Sequence, residues 1–262
     1  MLAASASLLN VKVVVLDVGE HAPAKQILAP TNPELAHIDG SFKDADKILQ
    51  LAEKVDILTV EIEHVDVDVL DKIAQTQKVQ IHPSPSTIRV IQDKYNQKKH
   101  LQKAAIAVAE FYEIPEPTPE AVRRAIDKLG LPLMIKSRTL AYDGRGNFVL
   151  RHASRIEEAL ATLKDRPLYA EKWVNFEREI AVMVVRTVNG TVTSYPAVET
   201  VHKDNICLLT FAPLRSSVPT TLMNAQNLAE SAVLTFEGAG IFGVEMFQHP
   251  DGNVCQPSPP LI

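Results

Sequence analysis

The chain has 262 residues, of which 46% are hydrophobic and 23% are charged, and its formal net charge is −5. This length is enough for one large domain or two ordinary ones, and two distant cysteines exclude a disulfide framework. The negative charge argues against a nucleic-acid or anionic-membrane surface and no apolar run could span a membrane, so we expect a cytoplasmic protein with neither kind of partner.

The first ninety residues alternate predicted strands and helices. Residues 12–17 and 56–62 are apolar runs typical of strands buried on both faces. Helices are predicted over 44–55 and 67–74, where apolar side chains recur at helical spacing. This alternation indicates a parallel α/β sheet. A short helix-like segment opens the chain, with no strand before it.

Helices come next, and a proline-rich linker at 114–119 separates the first of them from the others. They are predicted over 86–105, from Thr118-Pro119 to Gly130, and from a capping box at Ser154-Arg-Ile-Glu157. We therefore expect a second domain that begins with a mixture of helices and strands.

Strands dominate the rest of the chain, at 169–174, 179–187, 191–197 and 241–247, with one helix over 222–236. A turn at 250–252 should start a hairpin partner for the last strand. Three prolines then follow within residues 257–260, and such a segment cannot be a paired interior strand. The sequence therefore predicts that this hairpin lacks its second arm.

The segment from Leu133 to Leu150 is the strongest candidate for chemistry. A strand ends near Lys136, and Gly144 and Gly146 flank Arg145 in the loop before the next strand. Glycines let a backbone approach a ligand closely, while lysine and arginine are the usual holders of phosphate or carboxylate oxygens. The combination favours an anion clamp over a plain hairpin turn.

Several carboxylates lie at predicted strand ends or inside strands. Glu61 and Glu63 share one face at the end of an apolar strand, where they are either ligand contacts or solvated charges. Glu171 and Glu179 could face ribose or adenine, although plain edge-strand charges are the better interpretation from the residues alone. Glu245 lies inside an apolar strand, where an unpaired carboxylate is costly, which favours a site facing Mg²⁺.

Six segments together resemble a known family. They are Glu61-Ile-Glu-His-Val65, Asp93-Lys-Tyr-Asn-Gln-Lys98, Lys136-Ser-Arg-Thr-Leu-Ala-Tyr-Asp-Gly-Arg-Gly146, Glu171-Lys-Trp-Val-Asn-Phe176, Tyr195-Pro-Ala-Val-Glu-Thr-Val-His202 and Phe242-Gly-Val-Glu-Met-Phe247. In this order they resemble the N5-carboxyaminoimidazole ribonucleotide synthetases of the ATP-grasp superfamily. The likeness is closest to the fungal phosphoribosylaminoimidazole carboxylases, which fuse this synthetase to a mutase domain.

The resemblance implies a fold and a reaction. Residues 1–92 would form a Rossmann-like preATP-grasp domain with an incomplete parallel sheet, and residues 93–262 an α+β ATP-grasp domain. ATP and bicarbonate would give carboxyphosphate, which carboxylates the amine of 5-aminoimidazole ribonucleotide in purine biosynthesis and releases ADP and phosphate. ATP and Mg²⁺ are the implied cofactors, the ribonucleotide and bicarbonate the implied partners, and a homo-oligomer is possible.

The resemblance also assigns residues by matching position. The nucleotide would be held by Lys94, Lys136, Tyr142, Asp143, Gly144, Arg145, Gly146, Asn147, Glu171, Lys172, Trp173, Val174, Glu179 and His202. Asp143 and Arg145 would be catalytic, Glu61 and Glu63 would bind the ribonucleotide, and Glu245 would ligate Mg²⁺.

The ends of the chain depart from the family pattern. Family members begin with an apolar strand and a glycine-rich loop, and they continue past residue 253 with an Asn-Glu pair. From these differences we expect a chain truncated at both ends, with little or no turnover alone. The rival hypotheses are a non-catalytic ATP-binding or subunit-interaction fragment, and another ATP-grasp enzyme such as a biotin carboxylase. Glu61-Ile-Glu-His-Val65 and Tyr195-Pro-Ala-Val-Glu199 speak against the latter.

Overall fold

The computed structural model describes residues 2–30, 32–140, 146–164, 166–203, 206–216, 218 and 220–255. The chain divides into two compact units, with the division between Arg89 and Val90. A parallel α/β unit followed by an α+β unit confirms the predicted fold class. The domain boundary proposed after residue 92 coincides with the end of a helix and stays a prediction.

The described residues of the first unit form four short strands and the helices that accompany them. The strands are β1 (Leu16–Asp17), β2 (Ile38–Asp39), β3 (Ile57–Thr59) and β4 (Gln80–His82), and the helices are α1 (Leu2–Leu8), α2 (Pro23–Ile27), α3 (Ala45–Ala52), α4 (Val67–Thr76) and α5 (Pro85–Gln92), whose last three residues belong to the second unit. The pairs β1–β2 and β3–β4 are both parallel, as the alternation predicted. Apolar residues of α3, α4, β3 and β4 form the core of this unit.

The strands of this unit are shorter than predicted, and the backbone partners explain why. Ahead of β1, the Val15 N–H donates to the His37 side chain at 3.2 Å rather than to a neighbouring strand. Next to β3, the partner strand β4 ends at His82 because Pro83 has no N–H to donate. Each apolar run of the sequence is therefore longer than the part of it that pairs with a neighbouring strand.

The single helix predicted over 86–105 is wrong, because α5 ends at Gln92 and α6 (Lys94–Lys103) begins after a break at Asp93. Asp93 has an extended backbone, and its carboxylate accepts hydrogen bonds from the N–H groups of Tyr95 and Asn96 at 3.0 Å. An aspartate that caps the next helix in this way competes with helix continuation. The break makes Lys94 the first residue of α6.

The second unit begins with a four-stranded antiparallel sheet covered by two helices. Its strands are β5 (Phe111–Ile114), β6 (Leu133–Ser137), β7 (Asn147–Leu150) and β8 (Leu168–Lys172), in the order β5-β8-β6-β7, and the helices are α7 (Pro119–Leu129) and α8 (Ile156–Leu163). One face of this sheet packs against α7 and α8 and forms a continuous apolar core.

The two helix starts that were predicted here have different outcomes. Thr118 caps α7 as predicted, since its hydroxyl accepts from the Ala121 N–H at 3.3 Å, and Gly130 follows the last turn. The capping box at Ser154 is wrong. Residues Ala153–Arg155 form a 3₁₀ turn, so α8 begins only at Ile156 and has no side-chain cap.

A second antiparallel sheet completes this unit. Its strands are β9 (Arg178–Arg186), β10 (Val192–Ser194), β11 (Val198–Lys203), β12 (Ile206–Phe211), β13 (Gly240–Gln248) and β14 (Val254–Cys255), and helix α9 (Thr220–Leu234) lies against β9 and β13. The order is β12-β11-β9-β13-β14, and β10 also pairs with β9. Sequence analysis did not predict β11 or β12, which lie at one edge of the sheet.

The predicted loss of the final hairpin arm is wrong for the described residues. Val254 and Cys255 pair antiparallel with Gln248 and Phe247, so a second arm does begin. The prolines that motivated the prediction lie beyond Cys255, outside the described residues.

Among the described helices, none is both long and apolar enough to cross a bilayer.

Candidate active site

A buried carboxylate bridges two lysines on one face of the β5-β8-β6-β7 sheet, the face opposite to α7 and α8. Glu171 on β8 places Oε2 2.8 Å from Lys136 Nζ on β6 and Oε1 3.2 Å from Lys98 Nζ on α6. The side chain of Lys98 is 1% exposed, that of Glu171 5% and that of Lys136 13%. Lys136 is therefore the member of this cluster that solvent or a ligand reaches most easily.

The two most buried members of this cluster have shifted pKa values. Burial acts to raise the pKa of Glu171, but attraction to Lys136 and Lys98 outweighs it, so that pKa is lowered. Burial lowers the pKa of Lys98, and attraction to Glu171 opposes that effect. Two lysines share one carboxylate, so the cluster contains one more basic side chain than acidic ones, which suits an anion.

Both carboxylate oxygens of Glu171 already contact lysines, so a predicted contact with adenine would have to compete with these ion pairs. The strand ends at Lys172, whose ammonium pairs with Glu110, and the Trp173 N–H donates to the Pro132 carbonyl at 3.3 Å. Trp173 and half-buried Val174 then leave the sheet as irregular backbone. A base could therefore meet the backbone of this segment without displacing the carboxylate.

Lys94 is brought close to the end of β6 by an arginine that sequence analysis did not select. The Lys94 N–H donates to the Arg138 carbonyl at 2.8 Å. The Arg138 guanidinium donates to both Asp93 oxygens, with Nη2 2.6 Å from Oδ2, and to Glu113 Oε1 at 2.8 Å. Because Asp93 also caps α6, one planar fork joins the start of this helix to the strand that carries Lys136.

A second cluster lies on one face of the other sheet. Glu179 pairs with Phe247 and Ala181 with Glu245, so Glu179 and Glu245 lie diagonally on the same face. His202, on β11, places Nδ1 2.8 Å from Glu179 Oε2. Burial and then repulsion from Glu245 raise the pKa of Glu179, while His202 and Lys136 oppose this rise. Lys136 thus acts on Glu179 electrostatically, which links the two clusters within the second unit.

An aromatic pair adjoins this second cluster. The rings of Phe176 and Phe247 are stacked, with centroids 4.0 Å apart. Phe247 occupies the same face of β13 as Glu245, because alternate residues of a strand share a face. The site therefore combines a cationic part, an acidic part and an apolar wall.

The remaining predicted residues fall in three places. Gly146 has φ +90° and its carbonyl accepts from the Ser137 N–H at 2.7 Å, while Asn147 pairs with Lys136 at the start of β7. Tyr142, Asp143, Gly144 and Arg145 lie outside the described residues.

Glu61 and Glu63 belong to the first unit, in the loop after β3 rather than on the strand as predicted. Glu61 Oε1 accepts from the Leu2 N–H at 3.2 Å, and Glu63 Oε1 lies 3.9 Å from His64 Nε2.

Lys98, Arg138, Phe176 and Phe247 are among the site residues that were not selected from the sequence. Each stands inside a segment that carried the family resemblance or beside a selected residue. Nothing in the local pattern, however, reveals that Lys98 is buried or that Arg138 reaches back to Asp93, since those contacts join residues 73 and 45 positions apart. Three-dimensional proximity was needed to find them.

Comparison with known proteins assigns the family. The model of the ATP-grasp domain matches residues 99–256, and that of the ribonucleotide synthetase preATP-grasp domain matches residues 1–92. The chain belongs to the ATP-grasp family. This ATP-grasp chain is 53% identical over 254 residues to the phosphoribosylaminoimidazole carboxylase of Ogataea methanolica, an alignment that covers 97% of this chain and 46% of that protein. It therefore spans about half the length of the curated carboxylases it matches.

Two solved structures extend the comparison. The carboxyaminoimidazole ribonucleotide synthase of Aspergillus clavatus complexed with ATP is similar with a TM-score of 0.93 and 48% identity, over 100% of this chain and 66% of that one. The N5-carboxyaminoimidazole synthase of the same organism, in complex with ADP and 5-aminoimidazole ribonucleotide, is similar with a TM-score of 0.91 and 46% identity, over 98% and 65%. The predicted resemblance to this family is thereby confirmed.

Proposed function

We propose that this ATP-grasp chain binds Mg²⁺-ATP and takes part in the ATP- and bicarbonate-dependent carboxylation of 5-aminoimidazole ribonucleotide in purine biosynthesis. The observation that carries the proposal is the site itself, in which Glu171 holds two lysines and one of them, Lys136, lowers the pKa of Glu179 against the effect of burial. Relatives named for this chemistry, and a similar structure that contains ADP and the ribonucleotide, support the choice of reaction.

The cationic part of the site suits the phosphates of a nucleotide. Lys136 presents its ammonium near the end of β6, and the backbone N–H of Lys94 bonds to the carbonyl of Arg138, the residue after that strand. Two lysines from different elements can contact neighbouring phosphate groups without sharing one position. Glu179 accepts from the ribose hydroxyls, and His202 orients the Glu179 carboxylate through their 2.8 Å contact.

The acidic part of the site suits Mg²⁺. Glu179 and Glu245 repel each other across one sheet face, and a cation removes that repulsion. Among the described residues, no three or more His, Cys, Asp or Glu side chains gather as a metal group. A magnesium ion on a nucleotide needs only one or two protein carboxylates, because phosphate oxygens and water complete its shell. Glu245 is the ligand we propose, and bound Mg²⁺ would offset the charge that develops on the transferred phosphoryl group.

The reaction needs further groups for the bicarbonate and the ribonucleotide. A bicarbonate oxygen attacks the terminal phosphorus of ATP and the bond to ADP breaks, which gives carboxyphosphate. The amine of the ribonucleotide then takes up the carboxyl group and phosphate leaves. We assign Asp143 and Arg145 to this step and Glu61 and Glu63 to the ribonucleotide. Carboxyphosphate is short-lived in water, so a site that excludes solvent favours the reaction.

An ADP-release assay tests the proposed reaction against its rival, a fragment that binds ATP without catalysis. ADP release is measured with the ribonucleotide, bicarbonate and Mg²⁺ each omitted in turn. We expect release that is slow, in line with the little or no turnover expected of these 262 residues alone, but that requires all three, and a larger loss of rate than of ATP affinity in Asp143→Asn. ATP binding without ribonucleotide-dependent release would instead favour the fragment, and absence of ATP binding would contradict both.

A further inference from the structure

Lys98 is a buried group in this site that the proposed function leaves without a task. It stands one turn into α6, its side chain is 1% exposed, and its ammonium lies 3.2 Å from Glu171 Oε1 and 5.7 Å from the centroid of the Phe111 ring. A lysine is rarely this buried unless a partner holds it. Glu171 is such a partner, through the oxygen that Lys136 does not use.

Stability alone does not account for this arrangement. Replacing a buried ion pair by apolar residues of similar size is often neutral or stabilising, so a fold gains little by keeping one. The surrounding residues would suit an apolar side chain, since Leu101 on the same helix is fully buried and Phe111 is close by. The ion pair therefore needs another explanation.

The geometry supplies an explanation for the ion pair, because two lysines share the single carboxylate of Glu171. With both lysines in place, each oxygen of Glu171 faces one ammonium. Without Lys98, the whole carboxylate would neutralise Lys136, and its free oxygen would be buried without its charged partner. The net positive charge of the cluster depends on Lys98, although Lys136 is the residue through which a ligand meets it.

We propose that Lys98 is a positioning residue of the nucleotide site, which engages one oxygen of Glu171 so that Lys136 stays fixed and keeps an uncompensated positive charge toward phosphate. This inference rests on the proposed function, because it names how the phosphate lysine of that site is prepared. Lys98 acts through Glu171 and touches neither nucleotide nor metal.

The loss of affinity from such a charge effect should increase with the negative charge of the ligand. Removing Lys98 should weaken ATP most, ADP less and adenosine hardly at all, because the lost interaction is between a positive cluster and phosphate groups. A misfolded or loosened site would weaken all three ligands alike. At an effective dielectric constant near 20, one unit charge several ångströms away changes affinity by about ten- to a hundredfold.

The test is calorimetric titration of the 262-residue chain with Mg²⁺-ATP, Mg²⁺-ADP and adenosine. The variants are Lys98→Met, Lys98→Gln as a second replacement should methionine prevent folding, and Lys98→Met/Glu171→Gln. The last removes the carboxylate as well, so that Lys136 regains its positive charge. Lys103→Met, an exposed lysine on the same helix, is the matched control. Thermal unfolding of each variant verifies the fold.

We expect Lys98→Met or Lys98→Gln to lose roughly ten- to a hundredfold in ATP affinity and less than about threefold for adenosine. The double variant should recover much of the ATP loss, and the control should match the wild type. Equal losses for ATP and adenosine, or no recovery in the double variant, would overturn the inference while nucleotide binding by the wild type stands. A wild-type chain that binds no nucleotide would overturn the proposed function and this inference together.

Discussion

Replacing Glu171 by glutamine should destabilise the second unit by an amount that depends on pH. The substitution keeps the shape of the side chain but leaves the ammonium of Lys98, 1% exposed, without its carboxylate. A buried charge without a partner is costly, and the chain can limit that cost by releasing the proton of Lys98. The part of the penalty that comes from the charge of Lys98 cannot exceed the free energy of that deprotonation.

The magnitude follows from the ordinary lysine pKa of 10.5. Removing the proton at pH 7.5 costs about 4 kcal/mol, and at pH 9 about 2 kcal/mol, at ~1.4 kcal/mol per pH unit. The neutral Lys98 of the folded variant binds one proton fewer than the charged Lys98 of the unfolded chain. Stability of Glu171→Gln should therefore rise with pH relative to the wild type until the ordinary pKa is reached.

Urea unfolding at several pH values measures this directly. Trp173 is the single tryptophan of the chain and follows β8, so its fluorescence reports on the unit that contains Glu171. Glu110→Gln is the matched control, because Glu110 and Lys172 form an ion pair with side chains 64% and 49% exposed. That pair should contribute less than about 1 kcal/mol without this pH trend. A penalty for Glu171→Gln that is small, or the same at pH 7.5 and pH 9, would refute the reasoning.

Three further perturbations follow from the contacts described above. Arg138→Lys keeps the charge but loses the planar guanidinium that binds Asp93 and Glu113. It should lower the free energy of unfolding, measured in urea, by about 1–3 kcal/mol and weaken Mg²⁺-ATP binding, measured by calorimetry. Unchanged values would show that this guanidinium does not hold the start of α6. Burial and then Glu245 raise the pKa of the half-exposed Glu179 carboxyl, so its charged form destabilises the fold once the pH rises through that pKa. Glu179→Gln should therefore raise the melting temperature of the nucleotide-free chain at neutral pH by up to about 2–4 °C. An unchanged or lower melting temperature would contradict this. Thr118→Ala should cost about 1 kcal/mol by removing the cap of α7, with Thr118→Ser retaining most of the stability, and equal losses in both variants would argue against the cap.

The sequence predicted those parts of the site whose signal is local. The strand that carries Lys136 and the strand after Gly146 form as predicted, because alternating apolar residues and glycines act within a few positions, and the structure adds that the two strands pair antiparallel. Glu245 stood out because one charge interrupts an apolar run. The structure adds that it shares a sheet face with Glu179, some sixty residues earlier in the chain.

Other parts depended on competition that a local pattern does not show. Asp93 interrupts a region with helical periodicity because its carboxylate caps a new helix and also binds Arg138. The edge strand β12 lacks the alternation expected of a half-buried strand, since all its residues are exposed or only partly buried. Lys98 resembles any other lysine of a polar helix until the fold places it beside Glu171.

The central claim is that Lys136 is the phosphate-binding lysine of a working nucleotide site, and one titration tests it most directly. Mg²⁺-ATP is titrated into the wild-type chain, Lys136→Met and the control Lys103→Met, with the folding of each verified by its thermal melt. Our account predicts saturable binding by the wild type and the control, and a loss of about tenfold or more in Lys136→Met. Wild-type affinity in Lys136→Met, or no binding by a folded wild-type chain, would contradict it.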